Sequence, residues 1–252
     1  MRIARIAHPQ GVAFVEVQGD EAAEIAEHPF GTPTFTGRKW PLADVRLLAP
    51  ILPTKIIGVG RNYADHAAEL GNEVPAEPLI FFKPNTSVVG PNVEIKLPAV
   101  SERVDFEGEL AVIIGQPCRD VPAARAKSVI MGYTIANDVT ARDLQKKDVQ
   151  FTRAKGFDTF CPMGPFIETE FDPSDVRIVT EVDGDVKQDG RTSLMVHDIP
   201  SLIEYVSSIM TLLPGDVILT GTPAGVGPLT AGQTVSVTVD GLGTLTNPVA
   251  NR

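Results

Sequence analysis

Glu107 and Glu109 stand two residues apart in Val104-Asp105-Phe106-Glu107-Gly108-Glu109-Leu110-Ala111-Val112-Ile113-Ile114, a stretch that reads as a strand. Strand alternation puts both carboxylates on one face, which continues through the apolar Ala111 and Ile113. Adjacent carboxylates repel and raise one another's pKa unless a cation lies between them. A third carboxylate, Asp138, ends the strand-like run Gly132-Tyr133-Thr134-Ile135-Ala136-Asn137. Three carboxylates without a neighbouring His or Cys suit Mg²⁺ or Mn²⁺, which take oxygen ligands and retain waters, whereas zinc recruits His or Cys. The same residues also fit an exposed edge strand, with Asp138 capping the helix that follows.

A second group lies in Arg61-Asn62-Tyr63-Ala64-Asp65-His66-Ala67-Ala68-Glu69-Leu70-Gly71. Asn62 is the expected N-cap and Gly71 the expected stop of a short helix. That helix places His66 and Glu69 at i and i+3, on one face. A carboxylate beside an imidazole orients it and raises its basicity, as a general base requires. The pair equally fits a surface ion pair on an exposed helix. Gly58, Gly60, Gly71, Pro75 and Pro78 flank the helix, so it could move as a lid. Positive groups are at hand in Lys83, which ends the apolar strand Leu79-Ile80-Phe81-Phe82, in Arg142 just beyond Asp138, and in Lys155. Leu219-Thr220-Gly221-Thr222-Pro223-Ala224-Gly225-Val226-Gly227 is a Gly-rich turn without the Gly-Lys-Ser/Thr ending of a phosphate-binding loop. Its backbone N–H groups could bind a carboxylate, or it is simply a turn.

The elements that must position these groups are mainly β with scattered helices. Arg2–Ala7 and Val12–Val17 flank a hairpin turn at His8-Pro9-Gln10-Gly11, and Pro50 and Pro53 mark a boundary. This predicts a small β-rich module over 1–50 and a catalytic domain over 51–252. Further strands are expected at Lys55–Gly60, Pro78–Lys83, Phe106–Ile114, Met131–Asn137, Val176–Val182, Asp216–Thr220 and Thr234–Val239, with a hairpin at Asp183-Gly184. One clear helix follows Asp198, with Leu202, Ile203, Val206, Ile209, Met210 and Leu213 at helical spacing and Pro200 in its first turn. Strands do not alternate regularly with long helices, which argues against a doubly wound sheet.

The 252 residues carry a net charge of −10, which argues against nucleic acid or an anionic membrane as partner. An anionic substrate therefore needs a local positive cluster. Cys118 and Cys161 have no metal or redox spacing, and the first residues lack the apolar core of a signal peptide, so a reduced cytoplasmic setting is expected.

Six segments, in register, resemble the fumarylacetoacetate hydrolase family: Gly58–His66, Phe82-Lys83-Pro84, Glu107-Gly108-Glu109-Leu110, Asn137–Asp143, Ala154-Lys155-Gly156 and Leu219–Pro223. The resemblance covers roughly residues 50 to 250. It implies a mixed β-sandwich roll, a homodimer, and Mg²⁺ or Mn²⁺ held by Glu107, Glu109 and Asp138. It further implies a His66–Glu69 dyad on a lid helix, Lys155 as a third catalytic group, and substrate oxygens on Arg61, Tyr63, Lys83, Arg142, Gln145, Gly221 and Thr222. The implied substrate is a small 2-oxo acid, β-keto or 2,4-diketo, cleaved through an enolate to give pyruvate by acylpyruvate hydrolysis or oxaloacetate decarboxylation. The alternatives are a double-bond shift in 2-hydroxyhepta-2,4-diene-1,7-dioate and a non-catalytic, cation-stabilised binding protein.

Overall fold

The computed structural model describes residues 1–252. Its largest sheet has twelve strands. An N-terminal antiparallel meander (Arg2–His8, Gly11–Gln18, Glu21–Ile25, Phe35–Pro41) joins it by pairing Arg2 with Glu168 and Ile3 with Ile167. The sheet then runs through Cys161–Glu168, Ile130–Asn137, Gly108–Ile114, Val217–Leu219, Ile56–Gly60 and Leu79–Lys83. Most pairs are antiparallel, but Val217–Leu219 runs parallel to Ile56–Gly60. A five-stranded sheet follows the order Asp185–Arg191, Arg177–Val182, Thr234–Val239, Gly243–Asn251, Ile95–Leu97. No helix is long and apolar enough to cross a membrane.

The strand Gly108–Ile114 is buried along its whole length, which explains its unbroken apolar run. Leu110, Val112 and Ile114 pack with the helix Ile199–Ile209 and the five-stranded sheet, while Ala111 and Ile113 belong to a second cluster on the opposite face. Each buried Leu, Ile or Val contributes about 1.5–3 kcal/mol, so this strand is a rigid mount for whatever its polar end carries.

Some local expectations meet tertiary corrections. Val104 to Ile114 is not one strand: Val104–Phe106 belongs to a three-stranded sheet, and the chain passes into the large sheet at Glu107. A Cβ on Gly108 would lie 2.2 Å from the Thr180 hydroxyl, and the approach of the second sheet bends the chain there. The helix after Asp198 is capped as expected, its carboxylate accepting from the Ser201 N–H at 2.9 Å. It stops at Ile209, so Leu213 lies outside it and both are largely exposed. The cause is a bridge in which Leu212 and Cys118 exchange backbone hydrogen bonds, drawing the chain out of the helix. Asp183 and Gly184 both adopt positive φ (52° and 86°), as a two-residue hairpin turn demands.

Candidate active site

Glu107, Glu109 and Asp138 each offer a carboxylate oxygen within 4.8 Å of the other two, and all three are buried. The exposed-edge alternative is therefore excluded. Their mounts explain the convergence. Glu109 leads the buried strand, and Asp138 follows the adjacent strand Ile130–Asn137. Glu107 is tied to that strand twice: its N–H donates to the Asn137 side chain at 2.9 Å and its carbonyl accepts from the Asp138 N–H at 2.8 Å.

Three buried cations back two of the carboxylates. Lys155 donates to Glu107 (2.7 Å) and Asp138 (2.6 Å), Lys83 donates to Asp138 (2.5 Å), and Arg142 donates to Glu107 (2.6 Å) and to the fully buried Asp105 (3.0 Å). Burial alone would raise the Glu107 pKa, but Lys155 and Arg142 outweigh it and hold the carboxyl well below its ordinary range. Burial likewise disfavours the Lys155 ammonium, but Asp138 and Glu107 more than offset this and raise its pKa, so Lys155 is a charged donor and not a base.

Glu109 differs. It has no cationic side chain as partner and accepts only from the Gly221 N–H, at 2.7 Å. Burial, then the neighbouring charges of Asp138 and Glu107, push its pKa well above the usual carboxylate value. This donor set fits a hard divalent cation: all its atoms are carboxylate oxygens, one carboxylate is uncompensated, and an octahedral shell at about 2.1 Å spans a similar distance. Each carboxylate keeps a free lone pair after its protein contacts. A divalent cation would be held by Glu107, Glu109 and Asp138.

These groups open on a cavity of about 220 Å³. His66 lines it, and its Nδ1 lies 2.7 Å from a Glu69 oxygen, leaving Nε2 as the free acceptor when Nδ1 carries the proton. The helix that carries the pair, Ala64–Glu69, is not capped by Asn62 as the sequence suggests; Tyr63 takes that place without a side-chain hydrogen bond. Asn62 instead donates to the carbonyls of Thr220 and His197 and accepts from the His197 N–H, riveting the start of the helix to the Gly-rich turn. The other Glu69 oxygen accepts from Gly225 N–H at 2.9 Å. The turn thus binds the protein's own carboxylates, Glu109 and Glu69.

Of the expected substrate contacts, Arg61, Arg142, Gln145 and Thr222 line the cavity. Tyr63, Lys83 and Gly221 do not. The Lys83 side chain is wholly enclosed and spent on Asp138 and the Val139 carbonyl, and Gly221 is spent on Glu109. The Tyr63 hydroxyl is buried without a hydrogen-bond partner. Arg61 adopts φ 58° at the end of its strand and makes no ion pair. Phe81, whose ring centre lies 5.0 Å from the Lys155 ammonium, and Phe151 add apolar wall. Asp105, the Arg142 partner, is a further buried carboxylate of the site and shares the parity of Glu107 and Glu109 in the sequence. Cys161 is fully enclosed, and burial pushes its thiol up to about 12, which removes it as a nucleophile.

Arg142→Met would leave Asp105 and Glu107 short of a buried partner. A loss of about 3–5 kcal/mol is expected, read as a lower urea midpoint at unchanged slope. A loss below about 1 kcal/mol would show that Arg103, which donates to both Asp105 oxygens (2.8 and 3.1 Å), and Lys155 alone hold these carboxylates.

The scaffold is mainly β and carries a buried tricarboxylate centre beside a His–Glu pair. The family described as Fumarylacetoacetate (FAA) hydrolase C-terminal matches residues 55–250, and the chain belongs to that family. Residues 1–50 match a second family, Rv2993c-like, N-terminal. The chain is 63% identical to Protein Rv2993c of Mycobacterium tuberculosis, over 100% of this chain and 99% of that one. It is 46% identical to the mitochondrial oxaloacetate decarboxylase of Dictyostelium discoideum, over 75% of this chain and 90% of that one. The crystal structure of a 5-carboxymethyl-2-hydroxymuconate delta-isomerase from Mycobacterium smegmatis superposes with a TM-score of 0.95 at 63% identity, covering 100% of both chains.

Proposed function

We propose that this enzyme cleaves a C–C bond of a small anionic 2-oxo acid to release pyruvate. The observation that carries this reading is the meeting of the tricarboxylate centre, the His66–Glu69 pair and the unpaired Arg61 on one small cavity. A divalent cation on Glu107, Glu109 and Asp138 would supply Lewis-acid polarisation of the 2-oxo oxygen. The chain's own groups account for the remainder. For a 2,4-diketo acid, His66 Nε2 takes a proton from water as its oxygen adds to the C4 carbonyl. The C3–C4 bond then breaks: C4 leaves as a carboxylic acid, the bond's electron pair becomes the enolate of pyruvate, and His66 returns the proton to C3. Lys155 spends two N–H groups on Glu107 and Asp138 and keeps the third for a substrate oxygen.

Arg61 supplies the positive field that the acidic chain lacks overall. Removing a charge-assisted hydrogen bond costs about 1.5–3 kcal/mol, so Arg61→Met is expected to raise KM for a dianionic substrate roughly 10–100-fold with kcat nearly unchanged. A fall in kcat at constant KM would place Arg61 in the chemical step instead.

The 63% identity to an isomerase favours a second reading, a double-bond shift in a 2-hydroxy-dienedioate, which needs only proton transfers at the same centre. Pyruvate release from oxaloacetate and acetylpyruvate, with Mg²⁺ or Mn²⁺, separates the two. Metal-dependent pyruvate above the uncatalysed rate supports cleavage. Turnover of the dienedioate with its carbon skeleton intact, and no pyruvate from either acid, replaces it with isomerisation.

A further inference from the structure

Glu107 and Glu109 can converge only if the backbone between them is held; the Asp138 N–H holds the Glu107 carbonyl at 2.8 Å, and the bonds that hold Gly108 come from elsewhere. Gly108 offers one N–H and one carbonyl, and side chains take both. The N–H donates to the Gln188 side-chain oxygen at 3.0 Å, and the carbonyl accepts from the Thr222 hydroxyl at 2.8 Å. The same Gln188 amide donates to the Thr222 oxygen and to the Pro223 carbonyl, both at 2.7 Å. A closed ring results: Gly108 donates to Gln188, Gln188 to Thr222, and Thr222 back to Gly108.

Gln188 reaches this place from far away. It lies on Asp185–Arg191, the edge strand of the five-stranded sheet, eighty positions from Gly108. Along that strand only Gln188 and Gly190 are buried, and Gln188 is wholly enclosed. The two strand neighbours show how close the approach is. A Cβ on Gly190 would lie 2.4 Å from Pro223, and one on Gly225 would lie 2.1 Å from the Lys187 carbonyl. The edge strand is thus pressed against the Thr220–Gly227 turn, and Gln188 is the polar side chain it sends inward. A fully satisfied buried amide fixes geometry more tightly than packing alone, because any displacement strands a polar group in a dry interior.

We propose that Gln188 is a positioning residue: it holds the Gly108 peptide and the Thr222–Pro223 turn in one frame and so sets the spacing of Glu107 and Glu109. This rests on the reading of those residues as cation ligands. The peptide cannot rotate without breaking the ring, and rotation there would swing both carboxylates.

The test is Mn²⁺ affinity, followed by the electron paramagnetic resonance signal of the free ion, together with thermal unfolding of the metal-free protein. Gln188→Met keeps the length and loses every hydrogen bond, whereas Gln188→Asn keeps the amide but is one methylene too short to span both partners. Groups that orient metal ligands typically change affinity 10–100-fold, so about a tenfold or greater rise in Kd is expected in whichever variants fold. Ile6→Val, in the separate apolar cluster of the N-terminal meander and away from the ring, lowers the unfolding temperature while leaving Kd within about twofold. Either folded Gln188 variant binding Mn²⁺ like the wild type overturns the proposal, as does Ile6→Val weakening Mn²⁺ to the same extent. Wild-type protein that binds no Mn²⁺ instead overturns the cation reading on which the proposal stands.

Discussion

Glu109→Gln is expected to abolish metal-dependent turnover while leaving the metal-free fold as stable as before, or more so. The two halves of this expectation have one cause. Glu109 is the carboxylate of the three that no side-chain cation compensates, so it contributes the charge a cation would neutralise. A Lewis-acid contribution of about 4 kcal/mol to the transition state corresponds to roughly a thousandfold in rate. The amide keeps an oxygen for the Gly221 N–H and cannot ionise, so it carries none of the repulsion from Asp138 and Glu107 that raises the Glu109 pKa. Relief of about 1 kcal/mol raises the midpoint of a chain this size by roughly 2–4 °C. Mg²⁺ or Mn²⁺ should then raise the wild-type midpoint by mass action and leave the variant's unchanged. A variant whose midpoint still climbs with metal would place the cation elsewhere.

Local chemistry explains why some of this site was readable from sequence. Glu107 and Glu109 announce themselves by spacing, Asp138 by its place after an apolar run, and His66 with Glu69 by a helical offset of three. Asp105 was equally readable, because it continues the same alternation, yet its partner Arg142 lies thirty-seven residues away. What stayed hidden depends on tertiary approach. Asn62 has the composition of a helix cap, but its hydrogen bonds go to residues 135 and 158 positions distant. Lys83 looks like a substrate contact until the strand order places Asp138 beside its ammonium. The break at Glu107 follows from Thr180 and Val237 crowding Gly108, which no window around Gly108 reveals. Gln188 sits in an edge strand of mostly exposed residues, and only the fold turns it inward.

The N-terminal segment shows the same division. Its hairpin at Pro9-Gln10 is local and readable, with His8 paired to Gly11. Its docking is not, since Arg2 and Ile3 pair with a strand more than 160 positions away. That docking extends the large sheet past Cys161–Glu168, the strand beside Ile130–Asn137, on which Asp138 is mounted. The module therefore buttresses the acidic centre at one remove, without lending it a side chain.

His66→Ala should divide the candidate substrates by what happens at C4. In an acylpyruvate C4 is a ketone carbon, and the bond breaks only after water adds, so loss of the base should lower kcat by about 10²–10⁴. In oxaloacetate C4 is a carboxylate that departs as CO₂ with no water added, so decarboxylation should fall by no more than about threefold. Mn²⁺ affinity should be unchanged in both cases, because His66 hydrogen-bonds Glu69 and not the three carboxylates. Glu69→Gln should fall between the wild type and His66→Ala on acetylpyruvate, since it weakens the orientation of the imidazole and its latch to Gly225 without removing the ring. Equal losses on both acids would mean that delivery of the proton from His66 to C3, a step shared by the two reactions, limits turnover in place of the attack of water. The same imidazole would then be placed to move the proton that a double-bond shift requires, and the isomerase reading would gain what the hydrolase reading loses.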